Sequence, residues 1–198
     1  MLFLLLIFFS FNNCNEQPKT LQDVKKEKIK NVIKECEFLE LPIVLNANSD
    51  YWDNYSHKYK VNYKSTDSLI FDSDLFEIYG ILPDTLFYYA FLTHSIGDMI
   101  YPTIFTIDKS GNKIDRRIIC TGGCAGHAAI DITSCYDSVW LHKDLKIKSI
   151  SKVVGTVETE GSIQRTINIC NKTIVEGFIN ESGHIKLNRS ELIDCSDE

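Results

Sequence analysis

The densest set of reactive side chains is Cys120-Thr-Gly122-Gly123-Cys124-Ala-Gly126-His127, with Cys135 shortly after. Three thiols and an imidazole within sixteen positions are the ligand types of a tetrahedral zinc site. Glycines at 122, 123 and 126 would let backbone fold closely around an ion. The spacing Cys-x3-Cys-x2-His-x7-Cys follows no common zinc finger. The same residues also suit a loop stapled by disulfides, a set of structural thiols, or a reactive Cys124 activated by His127. A stapled loop is the expectation, and no cofactor is expected.

Other chemistry is thinner. His94, Ser95 and Asp98 supply the residue types of a serine triad. Triads are assembled by geometry, however, and a hydrogen-bonded strand end accounts for three such neighbours. His57, His142 and His184 stand apart, and no carboxylate pair presents itself for acid–base work. Neither a Walker loop nor a dinucleotide fingerprint occurs. Tyr51, Trp52 and Tyr55 cluster among Asp50, Asp53 and Asn54. Exposed, they would form a platform for a sugar or peptide; turned inward, they would pack on the first strand.

The whole chain sets limits on these readings. It has 198 residues, 44% of them hydrophobic, and a formal charge of -6. One domain is expected from the length. An acidic surface argues against nucleic-acid binding, which requires phosphate neutralisation.

Leu2 to Phe9 is an unbroken apolar run, extended by Phe11. It is too short to span a bilayer but suits the h-region of an export signal. It ends at Asn12-Asn13-Cys14, followed by polar Asn15-Glu16-Gln17-Pro18. This arrangement resembles a relaxed bacterial lipobox, with Phe11 and Asn13 in place of the usual Leu and small residue. The resemblance implies cleavage before Cys14, lipidation of its thiol, and a membrane partner at the cell envelope, at the outer membrane or the periplasmic face; the alternative is an ordinary cleaved signal and a secreted chain, with Cys14 incidental. Seven cysteines less Cys14 leave six: Cys36, Cys120, Cys124, Cys135, Cys170 and Cys195. An even set in an exported chain points to disulfides, with the pairing open.

Three tripeptides read Asp, hydroxyl residue, aliphatic, at Asp67-Ser68-Leu69, Asp84-Thr85-Leu86 and Asp137-Ser138-Val139. They resemble the O-glycosylation signal of exported Bacteroidota proteins, which makes Ser68, Thr85 and Ser138 glycan candidates.

The elements follow from pattern. Residues 1–13 are the expected signal peptide, 14–19 a lipidated tether, and 20–198 a β-rich domain with an N-terminal helix. Thr20 and Asp23 mark a helix start, and Leu21, Val24, Ile29, Val32, Ile33, Cys36 and Leu39 recur at helical spacing. Lys25, Lys26, Lys28, Lys30 and Lys34 lie mostly on the other face, and Pro42 is expected to stop the helix by Leu41. A short helix is expected from Ser73 through Tyr79. Strands are expected at 57–64, 86–92, 101–107, 113–119, 138–142, 146–157, 163–170, 173–180 and 184–187. Two hairpins share wording, Phe105-Thr-Ile107-Asp-Lys-Ser110-Gly111 and Phe178-Ile179-Asn180-Glu-Ser182-Gly183. Residues 194–198 are expected to fray.

The fold class is therefore α+β, mostly β: an amphipathic helix and then an antiparallel meander. With its lipobox, helix and Phe-x-Ile-Asp-Lys-x-Gly-x-x-Ile hairpin at Phe105–Ile114, the chain resembles uncharacterised Bacteroidota envelope lipoproteins. The resemblance implies location and architecture, not an activity. The expected function is a lipid-anchored binding or structural domain without catalysis. The alternatives are a thiol- or metal-dependent protein using Cys120, Cys124, His127 and Cys135, or an immunity or inhibitor protein of small acidic type, whose partner would be a basic toxin or enzyme.

Overall fold

The computed structural model describes residues 19–48, 63–65, 68–71, 76–83, 86–96, 100–122, 131–158, 166–188 and 191–195. Two helices, α1 (Leu21–Glu35) and α2 (Ser68–Phe71), accompany eleven strands among these residues. The strands are β1 (Ile43–Asn48), β2 (Tyr63–Ser65), β3 (Phe76–Ile81), β4 (Tyr88–Ile96), β5 (Ile100–Asp108), β6 (Lys113–Ile118), β7 (Asp131–Leu141), β8 (Lys146–Glu158), β9 (Thr166–Ile179), β10 (Ile185–Leu187) and β11 (Glu191–Asp194). The mostly β class with an N-terminal helix is what the pattern predicts.

The meander divides into two antiparallel sheets. One runs β2-β3-β4-β5-β6; the other runs β1-β7-β8-β9-β10, with β11 also paired to β9. They face each other across a core that draws Tyr79, Tyr88, Leu92 and Ile104 from the first sheet and Leu45, Val139, Ile147 and Ile179 from the second. On the first sheet's other face, α1 packs Ile29, Val32 and Cys36 against Phe71, Ile78, Phe91, Phe105 and Ile107. The first sheet is thus covered on both sides. That is why Tyr-Tyr-Ala-Phe-Leu at 88–92 reads as an unbroken apolar run: alternate residues serve opposite cores.

α1 begins as its sequence dictates. The Thr20 hydroxyl accepts from the Asp23 amide, and Asp23 accepts from the Thr20 amide, closing a capping box. Its end departs from expectation. The helix stops at Glu35, well before Pro42, because the following residues pair elsewhere. The Leu39 amide donates to the Ile81 carbonyl at 2.7 Å, and the Ile81 amide to the Glu37 carbonyl at 2.8 Å. Ile81 belongs to β3, where a helix from Ser73 is expected; the helical turn falls earlier, at Ser68–Phe71. The strands expected at 163–170 and 173–180 are one continuous strand, β9. The tail is also ordered through residue 195: Glu191–Asp194 pairs with Asn171–Ile174, and Cys195 is bridged to Cys170.

Three hairpin turns gather at one end of the two sheets, and two of them are the turns of shared wording. In the first, Asp108 Oδ1 accepts from the amides of Ser110 and Asn112. In the second, Asn180 Oδ1 accepts from the amides of Ser182 and His184. In both, the glycine amide returns to the carbonyl of the Asp or Asn, with Gly111 at φ 86 and Gly183 at φ 84. Only glycine enters that region without steric cost. The third turn, His142 to Lys146, repeats the backbone bonds with Leu145 at φ 61 in the glycine's place.

Candidate functional site

The two ends of the space between the sheets differ in chemistry. Toward the hairpins it is filled by Tyr88, Leu141, Ile147, Ile179 and Ile185. Farther from the hairpins, beyond the end of β6, buried polar side chains stand among apolar ones such as Ile119, Val139 and Val153. Alternation along β7 and β8 turns Asp137, Ser149 and Ser151 to the inner side, and all three are buried. Asp137 lies directly opposite Ser151 across the strand pair.

Thr121, just past β6, ties this patch together. Its amide donates to Ser149 Oγ at 3.0 Å, and its hydroxyl donates to Asp137 Oδ2 at 3.3 Å. The Ser151 hydroxyl is buried and has no hydrogen-bond partner among the described residues. A buried hydroxyl without a partner costs free energy, which a ligand bearing a matching group would recover.

The first sheet contributes a second polar pair from its inner face. His94 Nε2 lies 3.2 Å from Glu77 Oε2, with both side chains largely buried. The His94 ring packs on Tyr79, centroids 5.3 Å apart. Burial, and then the nearby Glu77 carboxylate, push the Tyr79 phenol up to about 12. Tyr79 therefore stays a neutral hydroxyl at physiological pH. Each sheet thus places a carboxylate with hydrogen-bonding neighbours on its inner face.

Cys135 is buried on β7, two residues before Asp137, and is disulfide-bonded. Its sulfur is thus committed to a bridge, whereas a zinc ligand at that position would be a thiolate. Among the described residues, no three His, Cys, Asp or Glu side chains converge as a metal site would require. Cys170–Cys195 is a second bridge. Disulfides are thus present in the even set, as expected, while Cys36 and Cys120 lie outside the bridges. Cys36 sits at the end of α1 inside the helix-side core. Burial first, and then Glu35, raise its thiol to about 12, so it behaves as a small apolar residue.

The remaining expected sites divide between those the structure places and those outside it. Cys14, Tyr51, Trp52, Tyr55, Thr85, Asp98, Cys124 and His127 lie outside the described residues. Ser68 opens α2. Ser138 is fully buried and donates to Asn46 Oδ1 on β1. A folded chain cannot offer that hydroxyl to a glycosyltransferase, so the glycan expectation at Ser138 is corrected. His94 is the one residue of the triad set with a described side chain, and its partner is Glu77, outside that set.

A concavity opens at the hairpin end. It is a cleft of about 520 Å³ bordered by Leu86, Phe87, Leu145 and Ile179, with Asp144 and Glu181 at its rim. Among the described residues no helix is long and apolar enough to cross a membrane. No protein-family model matches the chain, and no match is found among curated proteins or solved structures.

Proposed function

We propose that this chain is a lipid-anchored envelope protein whose paired sheets bind a small polar ligand at the end opposite the hairpins. The observation that carries the binding role is the buried group of Asp137, Ser149 and Ser151 between the sheets, tied to the partly buried Thr121, with the Ser151 hydroxyl unsatisfied. Stability alone is poorly served by polar atoms at that depth, since apolar side chains fill the same layer at the other end. The favoured ligand carries hydrogen-bond donors for the Asp137 carboxylate and the Ser151 oxygen, as a small amine or polyol does.

The anchor rests on the apolar run ending at Cys14. Bridged cysteines support an oxidising compartment, where disulfides persist.

Two measurements test the two halves separately. Thermal unfolding against a panel of small amines and polyols should show at least one that raises Tm for the native chain but not for Asp137→Ala. A panel without effect, or an equal shift in the variant, removes the binding role. Intact mass of protein taken from its native membrane should correspond to an acylated chain beginning at Cys14. A chain without acyl groups removes the anchor.

A further inference from the structure

The start of the described chain and two strongly exposed apolar side chains, Leu86 and Phe87, lie at the same end of the molecule. α1 begins against the first hairpin: Gln22 Nε2 donates to the Ser110 carbonyl at 3.0 Å, and Lys25 Nζ to Asn112 Oδ1 at 3.3 Å. Gly111 of that turn lies so close to the helix that an added Cβ would stand 3.1 Å from Lys25 Cβ and 3.2 Å from Ile29 Cγ1. The first turn of α1 is thereby fixed at the hairpin end. Asp108, at the root of the same turn, pairs directly with Tyr88. Leu86 and Phe87 immediately precede Tyr88 and are 85% and 66% exposed. They form the lip of the cleft bordered by Leu145 and Ile179.

Lys19 is only five residues from Cys14. Fully extended, that stretch spans at most about 17 Å. β8 alone is 13 residues long, roughly 40 Å at the usual rise of a strand. A lipid on Cys14 therefore holds the hairpin end within one short tether of the bilayer, while Asp137 and Ser151, each five residues along its strand from the 142–146 turn, lie about 17 Å farther along the molecule.

We infer that the hairpin end is a membrane-docking surface, with Leu86 and Phe87 entering the interfacial layer of the bilayer that carries the Cys14 lipid. Isolated exposed apolar residues are ordinary on soluble proteins. Here two are adjacent, border a cleft lined also by Leu145 and Ile179, and lie at the same end of the sheets as the first turn of α1. Apolar side chains in such positions settle about 5–10 Å into the headgroup and acyl boundary. The docked molecule presents the Asp137 and Ser151 end away from the membrane. This inference rests on the anchor proposed above, though not on the identity of the ligand.

The test uses the acylated full chain in phosphatidylcholine vesicles containing brominated lipid, with Phe87→Trp as a reporter at the hairpin end and Thr166→Trp as one at the opposite end. Both parent residues are exposed, so neither change requires repacking. The Phe87→Trp protein should gain a blue-shifted emission that the brominated lipid quenches. Thr166→Trp should match the native chain apart from an unquenched addition. In parallel, hydrogen exchange of the native chain should slow at residues 86–88 and 142–146 on moving from detergent to vesicles. Equal quenching of both reporters, or unchanged exchange at those residues, overturns the docking while the anchor stands. A mass without acyl groups in the same sample overturns the anchor and the docking that depends on it.

Discussion

The two ends of the sandwich are held together by different means. At the hairpin end each turn satisfies its own backbone, and apolar side chains fill the space beneath. Thr106 Oγ1 donates to the Gly183 carbonyl at 2.7 Å, and the Ile185 amide to Asp115 Oδ2 at 3.0 Å, fastening one sheet to the other. At the opposite end the described fastenings are the Cys170–Cys195 bridge, the Cys135 disulfide and the hydrogen bonds of Thr121. Buried polar atoms there, Ser151 Oγ among them, are less fully satisfied. The contrast separates two requirements: one end is built for cohesion, and the other accepts some instability in return for polar groups that a ligand can use.

Removing cohesion at the hairpin end should have the largest effect. Tyr88 is fully buried and lies against Gly183, so Tyr88→Ala should cost about 3–4 kcal/mol in urea unfolding. A loss below about 1 kcal/mol would show that this end is not the structural one. Next comes sulfur at the other end. Cys170 and Cys195 are 25 residues apart, and Cys195→Ser should lower stability by about 3 kcal/mol on chain-entropy grounds. Hydrogen exchange should then quicken at 166–171 and 191–195 while the hairpin turns remain protected. Uniform quickening would mean that the ends are not independent.

Hydroxyl deletions sharpen the contrast because their signs should differ. Thr106→Val breaks the bond to Gly183 and should cost about 1 kcal/mol. Ser151→Ala removes a hydroxyl with no partner and should leave stability unchanged or raise it by up to about 1 kcal/mol. Equal losses from the two would erase the distinction.

The smallest effect separates the two similar turns. Burial alone would raise the Asp108 carboxyl, but hydrogen bonds from Asn112, Ser110 and Gly111 outweigh it and hold the group below its ordinary value. Folding is therefore stabilised above the ordinary Asp value of about 3.9, and that contribution fades as pH falls through the lowered folded value. Asn180 plays the same part in the second turn without a titrating group. Amide exchange at 108–112 should thus quicken in acid before exchange at 180–184, and Asp108→Asn should abolish the difference. Turns that loosen together in the native chain would show that Asp108 is not the sensitive group.

Much of the hairpin end was legible in the sequence because its determinants are local. The Thr20–Asp23 box, the Ser-Gly turns and the doubly buried run at 88–92 each lie within a few residues of their partners. Where structure depends on distant pairing, the pattern misled. Phe-Glu-Ile-Tyr-Gly-Ile at 76–81 has no clean alternation, since a bulge between Ile78 and Gly80 shifts its register. β1 takes its place from β7, and β11 from β9. The polar site was least legible of all. Glu77, His94, Thr121, Asp137 and Ser151 belong to five separate stretches, and no motif unites them. The one available sign was Asp137, Ser149 and Ser151 amid apolar neighbours on strands, where polar residues at inward positions mark either a network or a site.

The pairing of β1 also sets an order of assembly. Ile43 lies opposite Leu141, so the strand made first completes its ladder only after most of the chain has left the ribosome. The first sheet, by contrast, joins β2 to β6 through neighbours in sequence and closes with short loops at little entropic cost. An early intermediate would then hold a finished first sheet beside an N-terminal strand awaiting its seat. During that interval β1 offers an open edge, a liability for association with other chains that chaperones or rapid maturation would need to contain.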